Sequence, residues 1–73
     1  MPVQEHKIVL PDGSRARVLI VETGLFFRKR IITEFDLSLC VEKYANLALR
    51  QLSEIVLKKI GKRKIEFIHI HLP

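Results

Sequence analysis

The chain reads as one α+β domain over residues 1–73, in the order β-β-β-α-β: a three-stranded antiparallel meander, one long amphipathic helix packed on one sheet face, then a fourth strand. Three observations predict it. An Asp-Gly pair sits between β-branched runs, the spacing of apolar residues changes from twos to threes and fours after Phe35, and Gly61 separates that stretch from a final β-rich run.

The first strand is read from His6-Lys7-Ile8-Val9-Leu10 and the second from Arg15 to Glu22, with Pro11-Asp12-Gly13-Ser14 between them. Asp-Gly at that point predicts a two-residue hairpin turn, because a type I′ turn needs positive φ at both central residues. A second turn is expected at Thr23-Gly24. Leu25 to Phe35 then reads as a long third strand, in which β-branched and aromatic residues outweigh Arg28, Lys29 and Arg30.

From Asp36 onward Leu37, Val41, Tyr44, Ala45, Ala48, Leu49, Leu52, Ile55 and Val56 fall on one side of a helix, with Glu42, Lys43, Asn46, Arg50, Ser53 and Glu54 opposite. Asp36 is the expected N-cap, with Thr33 as the rival, and Gly61 the expected residue beyond the C-terminus. Such a helix is about 36 Å long, which matches a strand of nine or ten residues. Lys64 to Leu72 forms the last strand, running parallel to the first and third after a right-handed helical crossover. Its apolar residues occupy both parities, so it belongs inside a sheet or an interface.

At 73 residues and 48% hydrophobic, with 7% aromatic, the chain has the composition of a folded domain. A domain this small buries only about 60% of the surface its unfolded chain exposes, which favours association. Cys40 is the single cysteine, excluding an intrachain disulfide and a cysteine-based zinc cage, and it reads as a small buried hydrophobe. No apolar run approaches the roughly 18 residues of a membrane span, and the N-terminus lacks the basic-then-apolar pattern of a secretory signal. A cytoplasmic location is the expectation.

The net charge of +5 is unevenly distributed. Arg15, Arg17, Arg28, Lys29 and Arg30 form one group and Lys58, Lys59, Lys62, Arg63 and Lys64 another, with Glu22 the only acid within the two segments. Segregated cations are the footprint of a surface that meets polyanions. The plainer reading is a set of solvated faces, together with Lys58, Lys59 and Lys62 placed to complement the negative end of the helix dipole.

With a two-residue turn at Thr23-Gly24, cross-strand pairs join Val21 to Phe26, Leu19 to Arg28, Arg17 to Arg30 and Arg15 to Ile32, all on one face. The opposite face carries Ala16, Val18, Ile20, Phe27, Ile31 and Phe35, interrupted by Lys29, and is expected under the helix. The open face would then combine Arg15, Arg17, Arg28 and Arg30 with apolar side chains and with Phe26 as a base-stacking surface. Facing Arg17 and Arg30 would repel unless an anion lies between them, which points toward a polyanion ligand. The competing use of the same face is a homodimer interface, since one helix covers only one side of a sheet.

The functional expectation is a small basic nucleic-acid-binding protein, non-enzymatic and homodimeric, contacting DNA or RNA through Arg15, Arg17, Phe26, Arg28, Arg30, Lys62, Arg63 and Lys64, with the cations at phosphates and Phe26 as the stacking surface. The alternative is a structural or protein-interaction module built on the open sheet face. No cofactor is expected. His69 and His71 share a strand face at a spacing two metal ligands can use, with His6 as a third only if the first and last strands are neighbours. Glu34 with Asp36 is a weak carboxylate pair, Cys40 lacks an identifiable histidine partner, and no glycine-rich phosphate loop occurs.

Overall fold

The structure, a computed structural model, describes residues 2–24 and 28–73. Strands β1 (Val3–Val9), β2 (Arg15–Thr23) and β3 (Arg30–Asp36) are followed by a 3₁₀ turn at Glu42–Tyr44, helix α1 (Ala45–Ile60) and strand β4 (Ile65–His71). The sheet order is β1-β2-β3-β4, antiparallel between the first three and parallel between β3 and β4. The expected β-β-β-α-β order and the helix over one face are therefore present.

The first hairpin closes differently from a two-residue Asp-Gly turn. The Gly13 N–H donates to the Leu10 carbonyl and the Leu10 N–H to the Ser14 carbonyl, both at 2.8 Å, so Pro11 and Asp12 are the central residues and Gly13, at φ 85°, follows them. Proline fixes the first central φ and glycine supplies the positive φ after it, the pattern of a longer hairpin loop. The Asp12 carboxylate braces the loop by accepting from the Ser14 N–H at 3.0 Å and hydroxyl at 2.6 Å.

The second connection overturns the expected pairings. Thr23 faces Arg30, and Arg17 faces Asp36 rather than Arg30. The third strand starts at Arg30 instead of Leu25, with Arg28 and Lys29 in the connection; Phe26 and Phe27 lie outside the described residues. The register differs from the expected one by an even number of residues. Because side chains alternate with period two, each β2 residue kept its face while changing its partner. Ala16, Val18, Ile20, Ile31, Thr33 and Phe35 are all buried beneath the helix.

Helix α1 is 16 residues, about 24 Å, and starts well after Asp36. Asp36 ends β3, and its carboxylate accepts from the Ser38 N–H at 3.0 Å and hydroxyl at 2.5 Å, bracing the turn that leaves the sheet. The same side-chain chemistry that caps helices here caps a turn. Leu37 is still buried, although it precedes the helix. Ala48, Leu52, Val56 and Ile60, four apart, form the buried helix stripe and pack with Leu10, Val18, Ile20, Ile31, Phe35, Leu37 and Cys40. The Gly61 N–H donates to the Leu57 carbonyl at the helix end.

The helix backbone approaches β1 and β2 most closely. Strand β4 stands at the sheet edge and away from the helix, which excludes the internal position among the two that its apolar pattern allowed, inside a sheet or at an interface. Its burial confirms that position: only Ile65 is partly buried and the remaining six residues are exposed. The molecule measures 42 × 18 × 15 Å. Three inter-strand spacings of about 4.8 Å fit within either short dimension, so the strands run along the long axis.

Candidate nucleic-acid interface

The topology gathers one end of every strand and the C-terminus of the helix at the same pole of the long axis. Thr23, ending β2, pairs with Arg30, which starts β3; Ile31 pairs with Ile65 at the start of β4; and the Glu22 N–H donates to the Pro2 carbonyl at 3.1 Å. Arg28, Lys29 and Arg30 are thereby brought beside Lys58, Lys59, Lys62, Arg63 and Lys64, from which they are separated by the whole helix in sequence. Eight cations and two acids, Glu22 and Glu66, occupy this pole. The rest of the chain carries five cations and six acids. The whole of the excess positive charge is therefore at one end, and the rest of the chain is slightly acidic.

Two arginines of the cluster have structural partners. Arg30 Nε lies 3.2 Å from a Glu66 carboxylate oxygen. The guanidinium of Arg63 donates from Nε to the Ile60 carbonyl at 3.0 Å, from Nη2 to the Lys59 carbonyl at 3.1 Å, and from Nη1 to the Glu22 carboxylate. It thus satisfies two of the carbonyls that a helix C-terminus leaves without partners. Arg28, Lys29, Lys58, Lys59, Lys62 and Lys64 are exposed, and among the described residues none is within ion-pair distance of a carboxylate. These six remain available to an external anion.

The open sheet face has a different character. Arg17 is bracketed, its Nη1 2.8 Å from Glu5 on β1 and its Nε 3.1 Å from Asp36 on β3. Glu5 also lies 3.6 Å from Lys7. The hydrogen bond from Arg17 holds the Glu5 carboxyl below its ordinary range, and the hydrogen bonds to Glu5 and then Asp36 raise the already high Arg17 value. Asp36 is lowered chiefly by its bonds to Ser38, with Arg17 adding to them. The repulsion expected between Arg17 and Arg30 is therefore absent, and with it the reason to place an anion between them.

Arg15 faces Val9 at the opposite pole from the main cluster, where it lines a cleft of about 330 Å³ with Lys7, Ala16, Arg17, Asp36 and Leu39. Of the eight expected contact residues, Arg28, Arg30, Lys62, Arg63 and Lys64 are brought together, Arg15 and Arg17 are not, and Phe26 lies outside the described residues. Comparison of the chain with protein-family models, with curated proteins and with solved structures finds no match. The site is therefore read from its own chemistry.

Sequence reasoning noted Glu22 as the lone acid among the cations without reading it as a tether, and passed over Glu66, which pairs with Arg30. It placed Lys58 and Lys59 in the second basic group but left them out of the contact set, with the helix dipole as their plainer reading. They do occupy the last helical turn, and their exposed ammonium groups add to the same basic pole. His69 and His71 share the open face of β4, while His6 is on β1 at the opposite sheet edge, which breaks the three-histidine arrangement. Among the described residues no group of three or more His, Cys, Asp or Glu side chains is arranged to hold a metal ion, and no helix is long and apolar enough to cross a membrane.

Proposed function

We propose that this chain is a cytoplasmic nucleic-acid-binding protein that grips the phosphate backbone with its basic pole. The observation that carries the reading is the segregation of charge: eight cations against two acids at one end, and six of those cations exposed with no carboxylate partner among the described residues. Lysines outnumber arginines among the six, and an exposed ammonium acts as a hydrated point charge suited to phosphate rather than to a base edge. Binding is therefore independent of base sequence and strongly dependent on salt. Arg30 and Arg63 support the surface through their tethers to Glu66 and Glu22, while Arg15 and Arg17 take no part.

The test is fluorescence anisotropy with labelled single-stranded DNA, duplex DNA and RNA across a salt series. Contact with about four duplex phosphates gives a slope of log affinity against log salt near −3.6. The variant Lys58→Glu/Lys59→Glu/Lys62→Glu/Lys64→Glu should lose that binding while keeping its circular-dichroism spectrum. Equal affinity of the variant, or no binding by the wild type at low salt, would sink the reading.

A further inference from the structure

We infer that β4 is the docking edge for a second copy of this chain, joined antiparallel across a two-fold axis so that two four-stranded sheets become one. The inference is independent of the proposed polyanion site, which uses the opposite end of the β4 segment and other side chains.

The backbone orientation of β4 follows from two hydrogen bonds. The His71 carbonyl accepts from the Leu37 N–H at 2.8 Å, and the Phe67 carbonyl faces the Thr33 hydroxyl at 3.5 Å, so both point toward β3. Backbone groups alternate direction along a strand. The N–H and C=O of Ile68 and Ile70 therefore point outward, away from the sheet, as an unpaired ladder.

The side chains around that ladder are those of an interior strand. Phe67, Ile68, Ile70 and Leu72 are 55%, 59%, 43% and 71% exposed, and no Lys, Arg, Asp or Glu occurs from Phe67 to Leu72. Edge strands are ordinarily protected by charge, and the other edge of this sheet is: β1 carries Glu5 and Lys7. Strand β4 lacks that protection.

A second copy fits because the segment is self-complementary. Ile68-His69-Ile70 reads the same in both directions. Centring the two-fold on His69 sets Ile68 against the partner's Ile70 on the helix side, where both outward backbone groups form a hydrogen-bonded pair, and Phe67 against the partner's His71 on the open side. A centre at Ile70 would set Ile68 against Leu72, which lies beyond the end of β4, and a centre at Ile68 would oppose Ile70 to Glu66, where β4 departs from regular pairing with β3 between Ile31 and Ile32. The four apolar side chains leave on the order of 400 Å² uncovered per copy, about half of what each partner contributes to a standard interface, and the strand backbone and histidines supply much of the rest.

Sedimentation velocity over a concentration series, at high salt after nuclease treatment, tests the edge. The wild type should sediment as a dimer and Ile68→Lys/Ile70→Lys as a monomer with an unchanged circular-dichroism spectrum. Both positions are exposed, so the substitutions leave the core intact. A His69→Cys variant checks the register, because residues on the two-fold axis face one another at disulfide distance while Ile70 faces Ile68. Oxidation should therefore cross-link His69→Cys and leave Ile70→Cys largely uncross-linked; Cys40 is buried in both. A monomeric wild type, a dimer that survives the double lysine variant, or equal cross-linking at the two positions would overturn the inference.

Discussion

Arg63 is hydrogen-bonded to Glu22, a residue 41 positions earlier in the chain, and the same guanidinium holds the carbonyls of Lys59 and Ile60. One side chain thus fastens the end of the helix to the end of β2. It does so from a segment whose charge alone suggests a ligand contact.

Replacing Arg63 by alanine should lower stability by about 1 to 2 kcal/mol, an amount moderated by the solvent exposure of the pair. For a domain of this size each kcal/mol corresponds to about 4–8 °C in melting temperature. Arg63→Lys keeps the charge but loses the planar fork, and should recover less than half of the loss. Thermal melts followed by circular dichroism would decide it, and a melting temperature unchanged in Arg63→Ala would show that the tether contributes nothing.

Arg17 and the pair Lys62 with Lys64 should behave in opposite ways. Arg17→Ala is expected to weaken folding, since it leaves Glu5 and Asp36 without their shared partner, yet to leave the salt slope of polyanion binding unchanged. Lys62→Ala/Lys64→Ala should leave folding nearly unchanged and reduce the duplex slope by about 1.8. Anisotropy titrations on the folded variants would test this contrast, and a reduced slope in Arg17→Ala would return the sheet face to the binding surface.

Acid should destabilise the fold through Glu5, Asp12 and Asp36. All three have lowered pKa values, caused first by Arg17 for Glu5, by the Ser14 hydroxyl for Asp12 and by the Ser38 hydroxyl for Asp36. A carboxyl that titrates lower when folded binds fewer protons in the native state than in the unfolded one. Its stabilisation is complete above the ordinary values of 4.5 for Glu and 3.8 for Asp, and is lost as pH falls through the lowered folded values. Urea unfolding should give constant stability from about pH 7 to pH 5.5 as far as these groups are concerned, then a decline toward about pH 2. Asp36→Asn should flatten part of that decline, and an identical acid profile in the variant would remove Asp36 from the account.

Gly24 should resist substitution. Its φ is 94°, and a Cβ there would run into the backbone carbonyl oxygen of Arg28. Gly24→Ala should therefore cost more than the roughly 1 kcal/mol of a positive-φ alanine alone, because the obstructing atom is main chain and cannot swing aside. Chemical denaturation would measure it. A neutral effect would mean that the connection into β3 rearranges at little cost.

The parts of the fold that were legible in the sequence are those set by periodicity. Ala48, Leu52 and Val56 repeat every four residues, and Ala16, Val18 and Ile20 every two, so the buried faces were readable without knowing what lay opposite. Strand partners were not readable in this way. They depend on the length of a connection, and the step from Thr23 to Arg30 moved Arg17 from a like charge to Asp36 while leaving its face unchanged. The helix start was misjudged because Asp36 accepts from a following N–H and hydroxyl in a turn much as it would at an N-cap. Of the basic pole, the residue types were legible but the tethers were not, since Glu22 and Arg63 meet only through tertiary structure.

The concentration of positive charge at one end of a 42 Å long body has a consequence for kinetics. Such a molecule carries a permanent dipole along its long axis, and the field of a polyanionic rod exerts a torque on it before any contact forms. With a polyanion bound at that pole as proposed, productive encounters would be selected by rotation during approach rather than by repeated collision, and the association rate should fall with rising ionic strength faster than the dissociation rate changes.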